Sequence, residues 1–271
     1  MYEIDELKIY RGKNIQINKN ISIKIPTLDQ IEEFGEQKYF SAVHNLTSVG
    51  ADLKWQLWDL GIDYTKIDDY DLFIKVISQL VSSRKKIYAD VIADPDKYDG
   101  KLDENEMEDL LINPLELVLD GIDFSDFEPF YVEKSKQVVL YNQHEDITFD
   151  KLAYNQVIDV VRKIHGFKRN NEIPGNERTK MDLIEDARDE AMAAARKPFK
   201  SILKPFISTL QVRCGQCGDD RIWSMPISAF FDNIRRTSRI QDAELLLQGA
   251  YSGFASLKGV DKSRLDMFGD I

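Results

Sequence analysis

The hydrophobic period changes at Pro26, and that change limits how the first part of the chain can fold. Before it, Ile15/Ile17 and Ile21/Ile23/Ile25 alternate with polar residues. Gly12-Lys13-Asn14 and Asn18-Lys19-Asn20 supply turn residues between these runs. Alternation of period two predicts half-buried strands, so Leu7–Tyr10, Ile15–Ile17 and Ile21–Ile25 read as a small antiparallel meander. After Pro26 the apolar residues recur at helical spacing. Thr27 with Gln30 has the form of a capping box, and Gly35 can close a short helix.

Further helices are expected over Tyr39–Leu46, Asp52–Leu60 and from Tyr70 to Val81. In the last of these, Tyr70, Phe73, Ile74, Ile77 and Val81 form one stripe. Asn113-Pro114 can start a short helix ending at Gly121. Phe124, Phe127, Phe130 and Tyr131 lie in a segment broken by Pro129, and Gln137–Tyr141 reads as a strand. Asp150 is an N-cap for a helix over Lys151–His165. Lys180–Lys197, Phe199–Leu210, Pro226–Arg236 and Ile240–Leu247 complete the helical inventory. The fold class expected is mainly α, with the N-terminal meander and a β-hairpin around Cys214–Cys217, an α+β chain.

Charge divides the chain. Its 271 residues carry a net −11, but residues 1–150 hold 31 acids and 16 bases while residues 151–271 hold 16 acids and 20 bases. Residues 88–128 alone contain 14 acids against Lys97 and Lys101, which marks them as an acidic insertion. Two regions follow, 1–150 and 151–271, with either separate partners or complementary faces. Composition excludes disordered, collagen-like and disulfide-rich chains. With no apolar run near 18 residues, no membrane span is expected. The acidic start Met1–Glu6 lacks the pattern of a secretion signal, so the expected location is the cytoplasm of the producing cell.

Cys214-Gly-Gln-Cys217-Gly218 is the sharpest local signal, because a Cys-x-x-Cys turn between strands points two thiolates at one site. Structural zinc wants four ligands, and His44, His144 and His165 are scattered. Two reduced structural thiols are therefore the first reading of Cys214 and Cys217. Zinc completed by distant His residues or by a second copy is the alternative. In the acidic stretch, Pro95 and Lys97 fall on ligand positions of an EF-hand register and defeat it. No nucleophile elbow, zincin pair or phosphate-cradling glycine loop occurs, so no enzyme is indicated. The basic clusters Arg162/Lys163, Lys168/Arg169, Arg196/Lys197/Lys200 and Arg235/Arg236/Arg239 are interleaved with acids, and nucleic acid is not an expected partner.

Three stretches together resemble a known family. They are Ile25-Pro-Thr-Leu-Asp-Gln-Ile with Tyr39-Phe40, then Asp52-Leu-Lys-Trp-Gln-Leu-Trp-Asp-Leu-Gly-Ile-Asp-Tyr64 with Asp71-Leu-Phe-Ile, and finally Leu245-Leu-Leu-Gln-Gly-Ala-Tyr-Ser-Gly253 with Leu265-Asp-Met-Phe-Gly-Asp-Ile271. This pattern resembles tail-morphogenesis proteins of tailed phages of Gram-positive bacteria, commonly described as tail assembly chaperones. The resemblance implies a non-enzymatic protein of the bacterial host cytoplasm during assembly. Its implied partners are phage tail or baseplate proteins, with homo-oligomers a further option. Two alternatives stand beside it: a virion component of baseplate or neck, and a zinc-stabilised nucleic-acid-binding module. A chaperone of this kind must cover apolar helix faces, and helix-in-groove packing does so. Leu72 and Val76, which broaden the helix stripe, and the run Leu245, Leu246, Leu247 are the candidate partner-binding residues, with ordinary core as the bland alternative.

Overall fold

The computed structural model describes residues 5–93, 112–133, 136–213, 220–254 and 256–269. It is a mainly helical α+β fold with two small antiparallel sheets. The first half contains α1 (Glu6–Tyr10), strands β1 (Ile15–Gln16) and β2 (Ser22–Ile23), then α2 (Leu28–Phe34), α3 (Glu36–Thr47), α4 (Lys54–Asp59) and α5 (Asp69–Ala93). A three-stranded meander follows, β3 (Glu128–Val132), β4 (Gln137–Asn142) and β5 (Ile147–Phe149). The remainder is α6 (Lys151–His165), α7 (Glu177–Ala195), α8 (Leu203–Arg213) and α9 (Ile227–Tyr251).

The caps written in the sequence form. Thr27 accepts from the Gln30 amide while Gln30 accepts from the Thr27 amide, so both halves of the capping box close. Asp150 accepts from the Ala153 amide, and α6 occupies the expected residues. Where the structure departs from expectation, local chemistry gives the reason. Leu7–Tyr10 is helical because Asp5 caps the Lys8 amide and Ile9 alone of the segment is buried. The two helices expected after Pro226 are one continuous α9.

Residues 113–118 form successive turns instead of a helix, with Val118 and Leu119 both donating to the Leu115 carbonyl. Leu119 then bridges to Ile23, and Lys24 donates to the Val118 carbonyl, extending the first sheet. Leu115, Val118, Leu119, Ile122, Phe124 and Phe127 are core residues. The insertion over 88–128 is thus corrected at both ends: residues up to Ala93 continue α5, and residues from Leu115 on belong to the core. The acidic stretch between them lies outside the described residues.

The expected division at residue 150/151 does not separate two cores. One cluster runs from Ile9 to Phe230 and takes side chains from both halves, because α6 packs on α3 and β2. At its centre Phe73 meets Tyr154 at 4.8 Å, Phe124 at 5.4 Å and Phe149 at 5.5 Å between ring centroids. Tyr70 stacks on Phe73, and its hydroxyl donates to the Phe149 carbonyl at 2.6 Å, so α5 is bolted to β5. A second cluster of Val49, Ala51, Leu57, Tyr64, Leu72 and Ile184 joins α4 to α7.

The charge division resolves into complementary faces. Among the described residues, five of the six ion pairs across residue 150/151 put the acid in the first half. They are Lys151–Asp68 (2.6 Å), Lys163–Glu6 (2.6 Å), Arg169–Asp69 (3.0 Å), Lys180–Asp63 (2.9 Å) and Arg188–Asp59. Lys54–Glu172 (2.6 Å) is the reverse. Lys180 is the most enclosed of these cations, and it sits over the Tyr64 ring as well as on Asp63. That contact and the Thr65 hydroxyl hold the Asp63 carboxyl well below the usual carboxylate range.

Candidate partner-binding surfaces

Helix α9 is built in two unlike halves. Its first turn is buried: Ile227 and Phe230 are core, and Ser228 donates to the Ile9 carbonyl at 2.7 Å. Its backbone is tied to the N-terminal region too, since the Ile227 amide donates to the Pro26 carbonyl and the Leu28 amide to the Met225 carbonyl. Toward the C-terminal end the burial stops, apart from Ala243. Leu245 is exposed, Leu246 and Leu247 are half-buried, and Tyr251 and Phe254 beyond them are 89% and 95% exposed. Of the expected partner residues on this helix, Leu245 is thus the accessible one.

The tail runs back along the same helix. Arg264 grips Asp242 with two-pronged contacts at 2.9–3.1 Å, and Arg239 donates to the Asp266 and Ser263 carbonyls. Arg236 donates to the Met267 and Gly269 carbonyls at 2.8 Å each. This return leaves Phe268 92% exposed. The basic cluster at 235–239 therefore serves largely to pin the tail.

The other expected partner residues fall elsewhere. Leu72 is 1% exposed in the second cluster, under α4 and α7, and Val76 packs half-buried against it. The broad face of α5 is covered by the chain itself, which removes Leu72 as a docking residue. The apolar groove that α5 does present lies on another side, lined by Ala42, Ile77, Leu80, Val81, Leu115 and Phe124, with about 230 Å³ of space. Sequence spacing could not find it, because Leu115 and Phe124 come from a segment whose acidity masks its core residues. Exposed apolar side chains also mark Phe130 and Tyr131 on edge strand β3, and Phe199, Ile202 and Phe206 around the start of α8.

Cys214 and Cys217 lie outside the described residues. Their flanks correct the hairpin expectation: Leu203–Arg213 before them is helix α8, and Asp220–Ile222 after them is a turn of 3₁₀ helix. Leu203 and Leu210, seven apart, bury one helical stripe, and that spacing overrides the local alternation of Leu210–Arg213. Among the described residues no three His, Cys, Asp or Glu side chains form a group able to hold a metal ion. His165 is committed to Tyr39 and Val161. No described helix is long and apolar enough to cross a membrane.

Protein-family models, curated proteins and solved structures were all compared with the chain, and none matches.

Proposed function

We propose that this protein is a non-enzymatic tail-morphogenesis protein, an assembly chaperone that binds a tape-measure or baseplate protein in the bacterial host cytoplasm. The reading rests on the resemblance of its three sequence stretches to that family. The observation that carries it further is the unequal burial of α9, locked into the core at Ile227–Phe230 and bare at Leu245 and Tyr251, with Phe254 exposed just past its end. A rigid helix anchored at one end and apolar at the other can lie against an amphipathic helix that has no partner yet. Leu245, Tyr251 and Phe254 give this end exposed apolar side chains that a transient client can cover.

Co-expression with the neighbouring tape-measure gene tests the proposal. The expected result is a soluble complex, lost in Leu245→Asp and Phe254→Asp variants whose melting temperatures match the parent. Purified particles should lack the protein. Recovery from virions at fixed stoichiometry would overturn the chaperone reading and make it a structural component.

A further inference from the structure

Between α1, the end of α6 and the start of α9 lies an open-sided cavity of about 490 Å³. We propose that it binds a phosphate dianion carried on an apolar or aromatic group. Four cations line it, Arg162, Lys163, Arg235 and Arg236, against two acids, Glu6 and Asp232. Lys163 is neutralised by Glu6 at 2.6 Å. Arg162 and Arg236 are held in place by neutral acceptors, the Thr47 carbonyl for one and the Met267 and Gly269 carbonyls for the other. Their positions are fixed while their charge is not cancelled.

Arg235 is the decisive residue. Its Nε is enclosed with no hydrogen-bond partner, and its nearest acid, Asp232, stands 4.0 Å from Nη2, beyond hydrogen-bond reach. The guanidinium is pressed against Gly166, where a Cβ would sit 2.2 Å from Nη1. Gly166 is the left-handed cap of α6, so the absent side chain serves both the turn and the arginine. The side chain as a whole is 38% exposed, so its Nη groups, and not the enclosed Nε, are the donors open to a two-oxygen acceptor. A phosphate supplies those oxygens and two negative charges to a cavity with an excess of two positive ones. Leu7, Tyr10 and Phe167 form the adjoining wall, which a bare ion would leave uncovered.

Calorimetric titration of the full chain, in low-salt buffer at pH 8, uses inorganic phosphate and phenyl phosphate as probes. One saturable site is expected, weakened at least about tenfold in Arg235→Gln, the size of one charged hydrogen bond. Arg196→Gln, on an exposed arginine elsewhere, should bind as the parent does. Tighter binding of phenyl phosphate identifies an organic phosphate as the ligand. Equal affinity would overturn that part of the proposal in favour of the free ion. Absence of saturable binding, or equal affinity in Arg235→Gln and Arg196→Gln, would overturn the site altogether. If Arg235→Gln fails to fold, Arg235→Lys takes its place: it keeps the charge but loses the two-pronged donor, and binding weakened relative to the parent is again expected.

Discussion

Tyr39 donates its hydroxyl hydrogen to His165 Nε2 across 2.8 Å, and His165 Nδ1 donates to the Val161 carbonyl at 2.7 Å. The carbonyl can only accept, which puts the ring proton on Nδ1 and leaves Nε2 to accept from the phenol. Both side chains are buried, with Phe40 and Phe167 against the imidazole.

Burial pushes the His165 pKa down to about 4, against the opposing effect of the Val161 hydrogen bond. The folded state therefore refuses a proton that the unfolded chain accepts below about 6.5. Stability is constant above that value and falls as pH drops toward 4, by up to about 3 kcal/mol from this group. Urea midpoints between pH 7 and 4.5 should fall in the parent and fall less in His165→Gln. Parallel curves would refute the assignment.

Lys54 and Lys163 each hold a carboxylate at 2.6 Å, and burial should separate them. The Lys54 side chain is 11% exposed and that of Lys163 41%. Lys54→Ala strands a partly buried Glu172 carboxylate and should cost about 2 kcal/mol. Lys163→Ala should cost less than about 1 kcal/mol. Chemical denaturation at one salt concentration measures both.

Gly50 lies where chain meets chain. A Cβ there would stand 2.2 Å from the Tyr64 carbonyl oxygen and 3.1 Å from Ile67 Cγ2. Backbone cannot swing aside as a flexible side chain can, so Gly50→Ala should destabilise by about 2–3 kcal/mol. Gly61→Ala, with open space and only a positive φ to strain it, should cost about 1 kcal/mol.

Leu119 tests the corrected limit of the acidic segment. It is fully buried and bridges Ile23, so Leu119→Ala should cost about 3 kcal/mol. A loss below about 0.5 kcal/mol, ordinary for a surface insertion, would contradict its place in the core.

Caps and stripes carried most of the helical fold in the sequence. Asp150 and Thr27 name the starts of α6 and α2 because a side-chain oxygen must meet a free amide there. Helix α5 runs past Val81 to Ala93 through Ser82–Lys86, where largely polar residues leave no stripe to read. Helix α9 runs through Thr237-Ser238-Arg239, which looks like a break; there Ser238 bonds back to the Ile234 carbonyl and Arg239 reaches the tail. Strand β5 has three residues, too few for a period. Of the candidate partner residues, Leu245 is exposed, while only packing revealed that Leu72 is covered. Nothing local could have announced the cavity, since Tyr10, Lys163 and Arg235 meet only through the folded chain.

Residues 26–29 are stitched to residues 223–227 by three backbone hydrogen bonds, Asp29 to Trp223, Leu28 to Met225 and Ile227 to Pro26. During synthesis residues 26–29 are therefore made long before the residues that complete them. Until the ribosome has passed residue 230, Ile25 and Leu28 lack the far-end residues, Met225 to Ile227, that close over this segment. Pairing across so long a sequence separation slows folding. It is also the nascent protein, before its own closure, that has the greatest need of shelter from aggregation.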